Sequence, residues 1–212
     1  MLSDIVLRAA EPNDLEDMIE VFNDAFSDGK WHSRCFPPSD PESAKGTAIY
    51  IGSGFTDTES HLVVAEDTSS GAPVVAGWAR WIRRPVAGPG TESAPPILKE
   101  DMFPQTGDPR LAVRFLTATS EATRRYTEGR PFWALSTIAV RKSHQRRGIG
   151  GELMRFGLTR VDEDGWMAYL NAQPDGKALY RRFGFRTLDV QDFGLGITSS
   201  PMKREPGGEA GH

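Results

Sequence analysis

Cys35 is the only cysteine in the 212 residues, so no disulfide can form within the chain. That suits a reducing compartment. A nucleophilic role for Cys35 would need a base beside it, and no residue spacing supplies one. Long apolar runs are also lacking: none approaches the ~20 residues of a membrane-spanning helix. The start Met1-Leu2-Ser3-Asp4-Ile5 has neither the basic nor the apolar stretch of a signal peptide. A cytoplasmic location without a membrane partner is the expectation. Neither charge sign dominates: 25 Lys and Arg against 29 Asp and Glu give a formal net charge of −4. That argues against a general nucleic-acid binder. The histidines 32, 61, 144 and 212 have no ligand-like spacing, so no metal is expected. Both Gly-Lys pairs, Gly29-Lys30 and Gly176-Lys177, lack the Ser or Thr of a phosphate-binding Walker loop. No Gly-x-Ser-x-Gly nucleophile elbow occurs.

What is there reads as one α/β domain. Hydrophobic residues make up 38% and charged residues 25%, enough for a single core at this length. Ile5–Arg8 predicts a strand. Asn13 and Glu16 are spaced like a capping box. Leu15, Met18, Ile19, Phe22 and Phe26 then recur at helical spacing as a buried stripe. The acids Glu16, Asp17, Glu20 and Asp24 fall mostly off the stripe, as a solvated face. Residues 27–60 read as a long connection with a short helix around 42–51, and such loops are often functional. His61–Glu66 and Val74–Trp81 predict a hairpin. Residues 84–109 are rich in Pro and Gly and read as an irregular insertion.

Leu111 to Tyr126 predicts a helix, Phe132–Val140 a central strand, and Met167–Asn171 the next strand. A helix from Pro174 to Phe183 stops at Gly184. Strands at 185–190 and near 195–203 close the domain, which spans residues 1–204. The polar, Gly-rich tail 205–212 reads as disordered.

The informative feature lies between the central strand and the helix after it: Gln145-Arg146-Arg147-Gly148-Ile149-Gly150-Gly151. A helix start has backbone N–H groups without internal partners, and the peptide dipoles add positive potential there. Together they make an anion site suited to phosphate. Glycines at 148, 150 and 151 permit close approach and positive φ. Arg146 and Arg147 add charge. A dinucleotide fingerprint would need glycine at 153, where Leu153 stands.

The stretch Gln145-Arg146-Arg147-Gly148-Ile149-Gly150 resembles the Gln/Arg-x-x-Gly-x-Gly/Ala pattern of the GNAT superfamily of N-acetyltransferases, in the manner of a fungal-type single-domain member. Leu135–Val140 looks like that family's fourth strand, and Tyr169–Gln173 like its fifth. Leu179-Tyr180-Arg181-Arg182-Phe183-Gly184-Phe185 looks like the ending of the helix that follows. The close resemblance covers residues 132–185.

The resemblance implies a mixed, mostly antiparallel central sheet flanked by helices, with the fourth and fifth strands splayed. It implies acetyl-CoA as co-substrate, its pyrophosphate on the loop amides of Arg146, Arg147, Gly148, Ile149, Gly150 and Gly151. Backbone groups of Ile138 and Val140 would meet the pantetheine arm, and Asn171 would bond to it. Tyr180 would serve as general acid toward the departing thiolate, or it is a core residue of its helix. The activity implied is acetyl transfer to a primary amine, of a small molecule first and of a protein Lys or N-terminus second. A non-catalytic acyl-CoA-binding module is the third reading, and either a monomer or a homodimer fits. Where some family members carry a Glu on the fourth strand, this chain has Ala134. Ser136 could order a water there, and Glu66, His32 and His61 are the other candidate bases. Trp31, Phe36 and Tyr50 could line the acceptor pocket, and the insertion 84–109 could act as a lid.

Overall fold

The protein is described by a computed structural model that covers residues 4–69, 71–86 and 97–207. Its chain opens with β1 (Ile5–Ala9), α1 (Leu15–Phe26), α2 (Lys30–Cys35) and α3 (Pro41–Gly52). The hairpin β2 (Ser60–Asp67) and β3 (Val74–Arg84) follows, then α4 (Pro109–Thr127) and β4 (Phe132–Val140). α5 (Ile149–Asp164), β5 (Met167–Ala172), α6 (Lys177–Arg182), β6 (Arg186–Thr187), β7 (Gln191–Asp192) and β8 (Thr198–Arg204) complete it.

The sheet order is β1-β2-β3-β4-β5-β8-β6, with β7 also on β8. Every pairing is antiparallel except β4 with β5. The chain is therefore a single α/β domain with a mixed, mostly antiparallel sheet and helices on its faces.

Side-chain alternation along β3, shifted once by a bulge at Ala76, divides the core. Trp81 and Ala79 pack with Leu153, Met154, Leu158 and Val161 of α5 on one face. Trp78 and Val75 pack with Met18 and Val21 of α1 and with Ile51 of α3 on the other. A third cluster joins Cys35 of α2 to Leu111 and Phe115 of α4 and to Phe193 and Ile197. Cys35 is fully buried there, and burial pushes its thiol up to about 12. It is therefore a packing residue.

Several local expectations change. α1 is not capped by Asn13 and Glu16. The turn ahead of it closes on Asp14, whose Oδ2 accepts the Glu11 N–H at 2.7 Å while its carboxylate binds Arg8 in two bonds of 2.7 Å. The acids of α1 are only partly a solvated face. Glu20 accepts from Arg141 at 3.1 Å, and Asp24 accepts the Lys142 N–H at 2.6 Å. The 27–60 connection holds two helices, α2 as well as the expected α3. α3 starts on a Pro at its first position and an Asp40 carboxylate that accepts the Glu42 N–H at 2.8 Å. The strand expected over 185–190 pairs at only Arg186 and Thr187. Of the expected insertion, residues 87–96 lie outside the described residues, as do 208–212 of the tail. Glu205, where the disordered tail was expected to begin, is instead held by Arg130 at 2.9 Å and Lys203 at 3.4 Å.

One contact sets the distance between helix and sheet. A Cβ added at Gly157 of α5 would meet Cε2 of Trp81 at 2.0 Å, and Trp81 is fully buried. The indole also donates to the Leu153 carbonyl at 3.3 Å, so it cannot easily turn away. Gly157→Ala should destabilise the fold by about 2 kcal/mol or more through overpacking, despite the better helix propensity of Ala. Urea unfolding of both proteins measures this; equal midpoints would show that the Trp81 contact is soft.

Candidate active site

β4 pairs with β5 only through Phe132, Trp133 and Ala134. Beyond that point the strands part. Against β3 the register of β4 shifts between the pairs Arg80↔Thr137 and Trp81↔Leu135, which leaves Ser136 as an extra, bulged residue. The Arg141 N–H donates to Ala76 of β3 at 2.8 Å. Antiparallel alternation then turns Ala139 and Thr137 toward β3 as well. The backbone groups of Ile138 and Val140 consequently face the gap. The Val140 carbonyl is met there by the Gln145 side chain, whose Nε2 donates at 3.1 Å.

The gap widens into a cleft of ≈ 2260 Å³, bounded by β4, β5, α6, the start of α5, and α1 to α4. A single small-ligand pocket measures roughly 300–1,000 Å³. This cleft has room for two substrates.

The 145–151 loop closes one end of it. Arg146 (φ 62°) and Gly148 (φ 89°) are both left-handed, which folds the backbone back on itself at the head of α5. Gly151 N–H donates to the Gly148 carbonyl at 2.9 Å and Glu152 N–H to the same oxygen at 3.3 Å. The amides of Arg146, Arg147, Gly148, Ile149 and Gly150 find no acceptor among the described residues. This is a concave row of unpartnered donors at a helix N-terminus. Across it, Leu179 of α6 stands 3.3 Å from where a Gly150 Cβ would lie.

The two arginines differ. Arg146 lines the cleft. The Arg147 guanidinium instead binds Asp67 at 3.0 Å, and His144 approaches the same carboxylate at 3.4 Å. Asp67 is held down to about 2 by hydrogen bonds from the Ser69 hydroxyl and N–H, with Arg147 helping, against the opposing effect of desolvation. His144 is thus part of the loop's anchor. On the loop's other side, Lys142 reaches Asp28 at 2.6 Å.

The middle of the cleft is organised by Arg80. Its buried guanidinium donates to the Tyr50 carbonyl at 3.0 Å, to the Ser53 and Ser60 hydroxyls at 3.1 and 2.9 Å, and to Asp57 at 3.5 Å. A buried cation needs such satisfaction. It fixes the end of α3, and Tyr50 projects to the bulge. There the Tyr50 hydroxyl lies 2.7 Å from Ser136 Oγ and 2.6 Å from Thr137 Oγ1. The bulge explains why two consecutive side chains reach one partner. Thr137 carried no signal in the sequence, because only a break in alternation brings it beside Ser136.

Tyr180 lines the cleft from α6, 6.2 Å from the Phe185 ring. Its hydroxyl has no hydrogen-bond partner among the described residues. Burial pushes it up to about 12. Asn171 also lines the cleft, but its amide donates to Thr123 at 3.3 Å and Thr119 at 3.5 Å, and its oxygen accepts from Tyr169 at 3.1 Å. One acceptor lone pair remains for a ligand.

Of the candidate bases, Glu66 pairs with Arg8 at 2.6 Å near the far edge of the sheet. His61 packs on Trp133 at 4.8 Å, and neither residue borders the cleft. His32 does border it, together with Trp31, Phe36 and Tyr50.

Residues 121–206 match the family model for the acetyltransferase (GNAT) domain. That segment holds the end of α4, the splayed strands, the loop, α5 and α6. Solved structures resemble the whole chain. The histone acetyltransferase HPA2 and related acetyltransferase from Corynebacterium glutamicum is 22% identical, with 96% of this chain and 97% of that one covered at a TM-score of 0.64. The polyamine N-acetyltransferase of Drosophila melanogaster, which catalyses formation of N-acetylagmatine, is 14% identical over 95% and 100% of the chains, with a TM-score of 0.69. A NatC complex bound to Gag peptide and CoA is 12% identical over 95% and 98%, with a TM-score of 0.54. At these identities the likeness is one of fold. No curated protein matches the sequence.

No helix among the described residues is long and apolar enough to cross a membrane, and no group of metal-ligating side chains occurs among them.

The anchor on Asp67 yields a pH signature. Its folded value lies below the ordinary ~3.9 of an unfolded Asp, so its contribution is present above pH ~4 and is lost as pH falls toward 2. Asp67→Asn should lower the melting temperature at pH 7, with the difference from wild type closing between about pH 4 and 2. A difference independent of pH would mean that Asp67 acts only through its shape.

Proposed function

We propose that the chain moves an acetyl group from acetyl-CoA to a primary amine of a small molecule, with Tyr180 as general acid. The observation that carries this reading is the continuity of two backbone surfaces left out of the ladder, with the Val140 carbonyl met only by the Gln145 side chain. The amide row at 146–150 runs into the open edge of β4 at Val140 and Ile138.

A diphosphate on the amide row would leave the pantetheine arm to run back along β4 as an added strand. Its amides would meet the backbone groups of Ile138 and Val140. Arg146 contributes charge at the cleft side, whereas Arg147 serves through its backbone and its grip on Asp67. Asn171 offers its remaining lone pair to the arm. From Val140 back to Ser136 is four residues, roughly 13 Å of strand, which brings the thioester to the bulge beside Tyr50, Ser136 and Thr137.

The chemistry then follows from geometry and proton affinity. The amine attacks the thioester carbon, charge develops on its oxygen, and the bulge hydroxyls are donors in reach of that oxygen. Sulfur leaves as a thiolate. Tyr180, kept protonated at neutral pH by its raised pKa, donates to it. Ala134 offers no base on β4, and Ser136 is tied to Tyr50. The acceptor side is walled by helices α1 to α3, which favours a small molecule over an extended peptide. The fungal-type affiliation remains an expectation of the sequence resemblance.

Two variants test the assignment. Gly150→Val would drive a side chain into Leu179 and across the amide row. It should weaken acetyl-CoA binding by ten-fold or more in calorimetry while the melting temperature holds within a few degrees; unchanged affinity would remove the loop from the site. Tyr180→Phe should cut turnover by ~10²-fold or more with acetyl-CoA affinity nearly unchanged. Full activity of this variant would reduce Tyr180 to a packing residue.

A further inference from the structure

The acceptor side of the cleft has a chemistry of its own. Phe22 and Phe26 of α1, Trp31, His32 and Phe36 in and just after α2, and Phe115 of α4 all border it. Their rings touch in sequence. Phe22 lies 4.7 Å from Phe26 and 5.1 Å from His32, edge-on at 81°. His32 stacks on Phe36 at 5.7 Å and 24°, and Trp31 stacks on Phe115 at 4.5 Å and 28°. Most of these rings keep part of their surface exposed, although packing inward would cover them. The group is joined to the bulge, because Phe22 is 6.5 Å from Tyr50, whose hydroxyl holds Ser136 and Thr137.

We propose that this aromatic box is the acceptor subsite, that it takes the apolar body of an arylalkyl-type primary amine, and that His32 in its wall accepts the amine's proton. The inference rests on the acetyltransfer reading above.

Charge supports the substrate class. A polyamine site needs free carboxylates facing the ligand, and those around the box are engaged. Asp28 binds Lys142 and Glu42 pairs with Lys45 at 3.5 Å. Asp40 caps α3 and accepts from Thr106. Asp24 accepts the Lys142 N–H, and Asp108 binds Arg34 at 2.9 Å. Lys30 is turned toward Gly196. Two cleft carboxylates are left over: Asp101, exposed at the rim on the turn before α4, and Asp175, exposed on the turn before α6 and away from the rings. The faces of the rings can hold one ammonium by cation–π attraction, and the rest of the box offers apolar area.

His32 stands out among these groups. The ring is half-buried, neither nitrogen has a hydrogen-bond partner among the described residues, and neither is sealed from solvent, so both stay open to a ligand. Burial alone lowers its pKa, with no charged neighbour contributing, so at neutral pH it is an unprotonated imidazole.

The protons balance. The ammonium gives one proton to His32, which passes it to solvent. The free amine attacks the thioester carbon, the new C–N bond forms and the C–S bond breaks. The thiolate takes the Tyr180 proton, and the phenolate takes the second amine proton, leaving neutral amide, free thiol and one released proton.

Steady-state thiol release with acetyl-CoA and three acceptors tests this: 2-phenylethylamine, spermidine and a lysine-bearing peptide. The expected kcat/KM for phenylethylamine exceeds the other two by ten-fold or more. The wild-type kcat should fall at acid pH through a pKa below the ordinary ~6.5 of histidine. His32→Gln should lose that limb and ten-fold or more of turnover at unchanged acetyl-CoA affinity. The more conservative Phe36→Leu should raise KM for phenylethylamine several-fold more than KM for spermidine. Preference for spermidine or the peptide, or an unaltered pH profile in His32→Gln, overturns the inference alone. Failure of the wild-type protein to bind acetyl-CoA by calorimetry overturns the acetyltransfer reading together with it.

Discussion

The whole arrangement depends on β4 parting from β5 after Ala134. A parallel pair that stayed zipped would satisfy its backbone groups internally and leave no cleft. Here the inserted Ser136 bends β4, and the groups of Ile138 and Val140 are turned into a gap instead of a ladder. Open backbone polar groups cost free energy unless water or a ligand meets them. The opening is therefore a standing invitation to an extended, amide-bearing molecule. The loop that follows repeats the condition, since left-handed turns at Arg146 and Gly148 hold five amides away from any internal acceptor.

Holding unsatisfied groups in place requires rigidity around them, and the structure supplies it from three directions. Asp67 of β2 binds Arg147 and draws in His144 from behind the loop. Glu20, Asp24 and Asp28, on and just after α1, fasten Arg141 and Lys142 ahead of it. Arg80 ties α3 to β3 and sets Tyr50 on the bulge. Exposed pairs such as Lys142 with Asp28 contribute little to stability one at a time. Their effect is positional: they restrict where a short loop can go, and catalysis is sensitive to such placement.

How far the sequence disclosed this can be followed residue by residue. The loop was legible because its chemistry is local: glycines, arginines and a helix start lie within seven residues. The strands of the hairpin and β4 were legible from composition and length. The short β6 was not, because Phe185 to Val190 has strand-like residues, yet β8 meets only two of them in the ladder. α2 was hidden in a segment whose Gly, Pro and Ser content reads as loop, and it is held by packing of Cys35 and Trp31 against α4, which no local pattern encodes. Phe22 read as one member of a buried stripe, since helical period does not distinguish a core face from a cleft wall. The Tyr50–Ser136–Thr137 cluster spans more than eighty residues and needs the bulge. The fate of Arg147 turns on Asp67, eighty positions earlier, so two adjacent arginines of equal promise receive different tasks.

One physical effect assigns the two proton-handling groups opposite characters. Removing water from a phenol penalises its anion and raises its pKa; removing water from an imidazole penalises its cation and lowers its pKa. Tyr180 is moved up to about 12 and His32 is moved below its ordinary value, each with burial as the sole cause. The cleft therefore separates a group that keeps its proton at neutral pH from one that stays ready to receive one, a separation that marks acid and base in catalytic pairs. Under the proposed assignment no dedicated carboxylate would be needed, and the Ala at position 134 would not be a deficiency. The apolar walls that would select the acceptor are the same walls that tune His32, so under the proposed reading one feature of the fold would set both substrate preference and proton transfer.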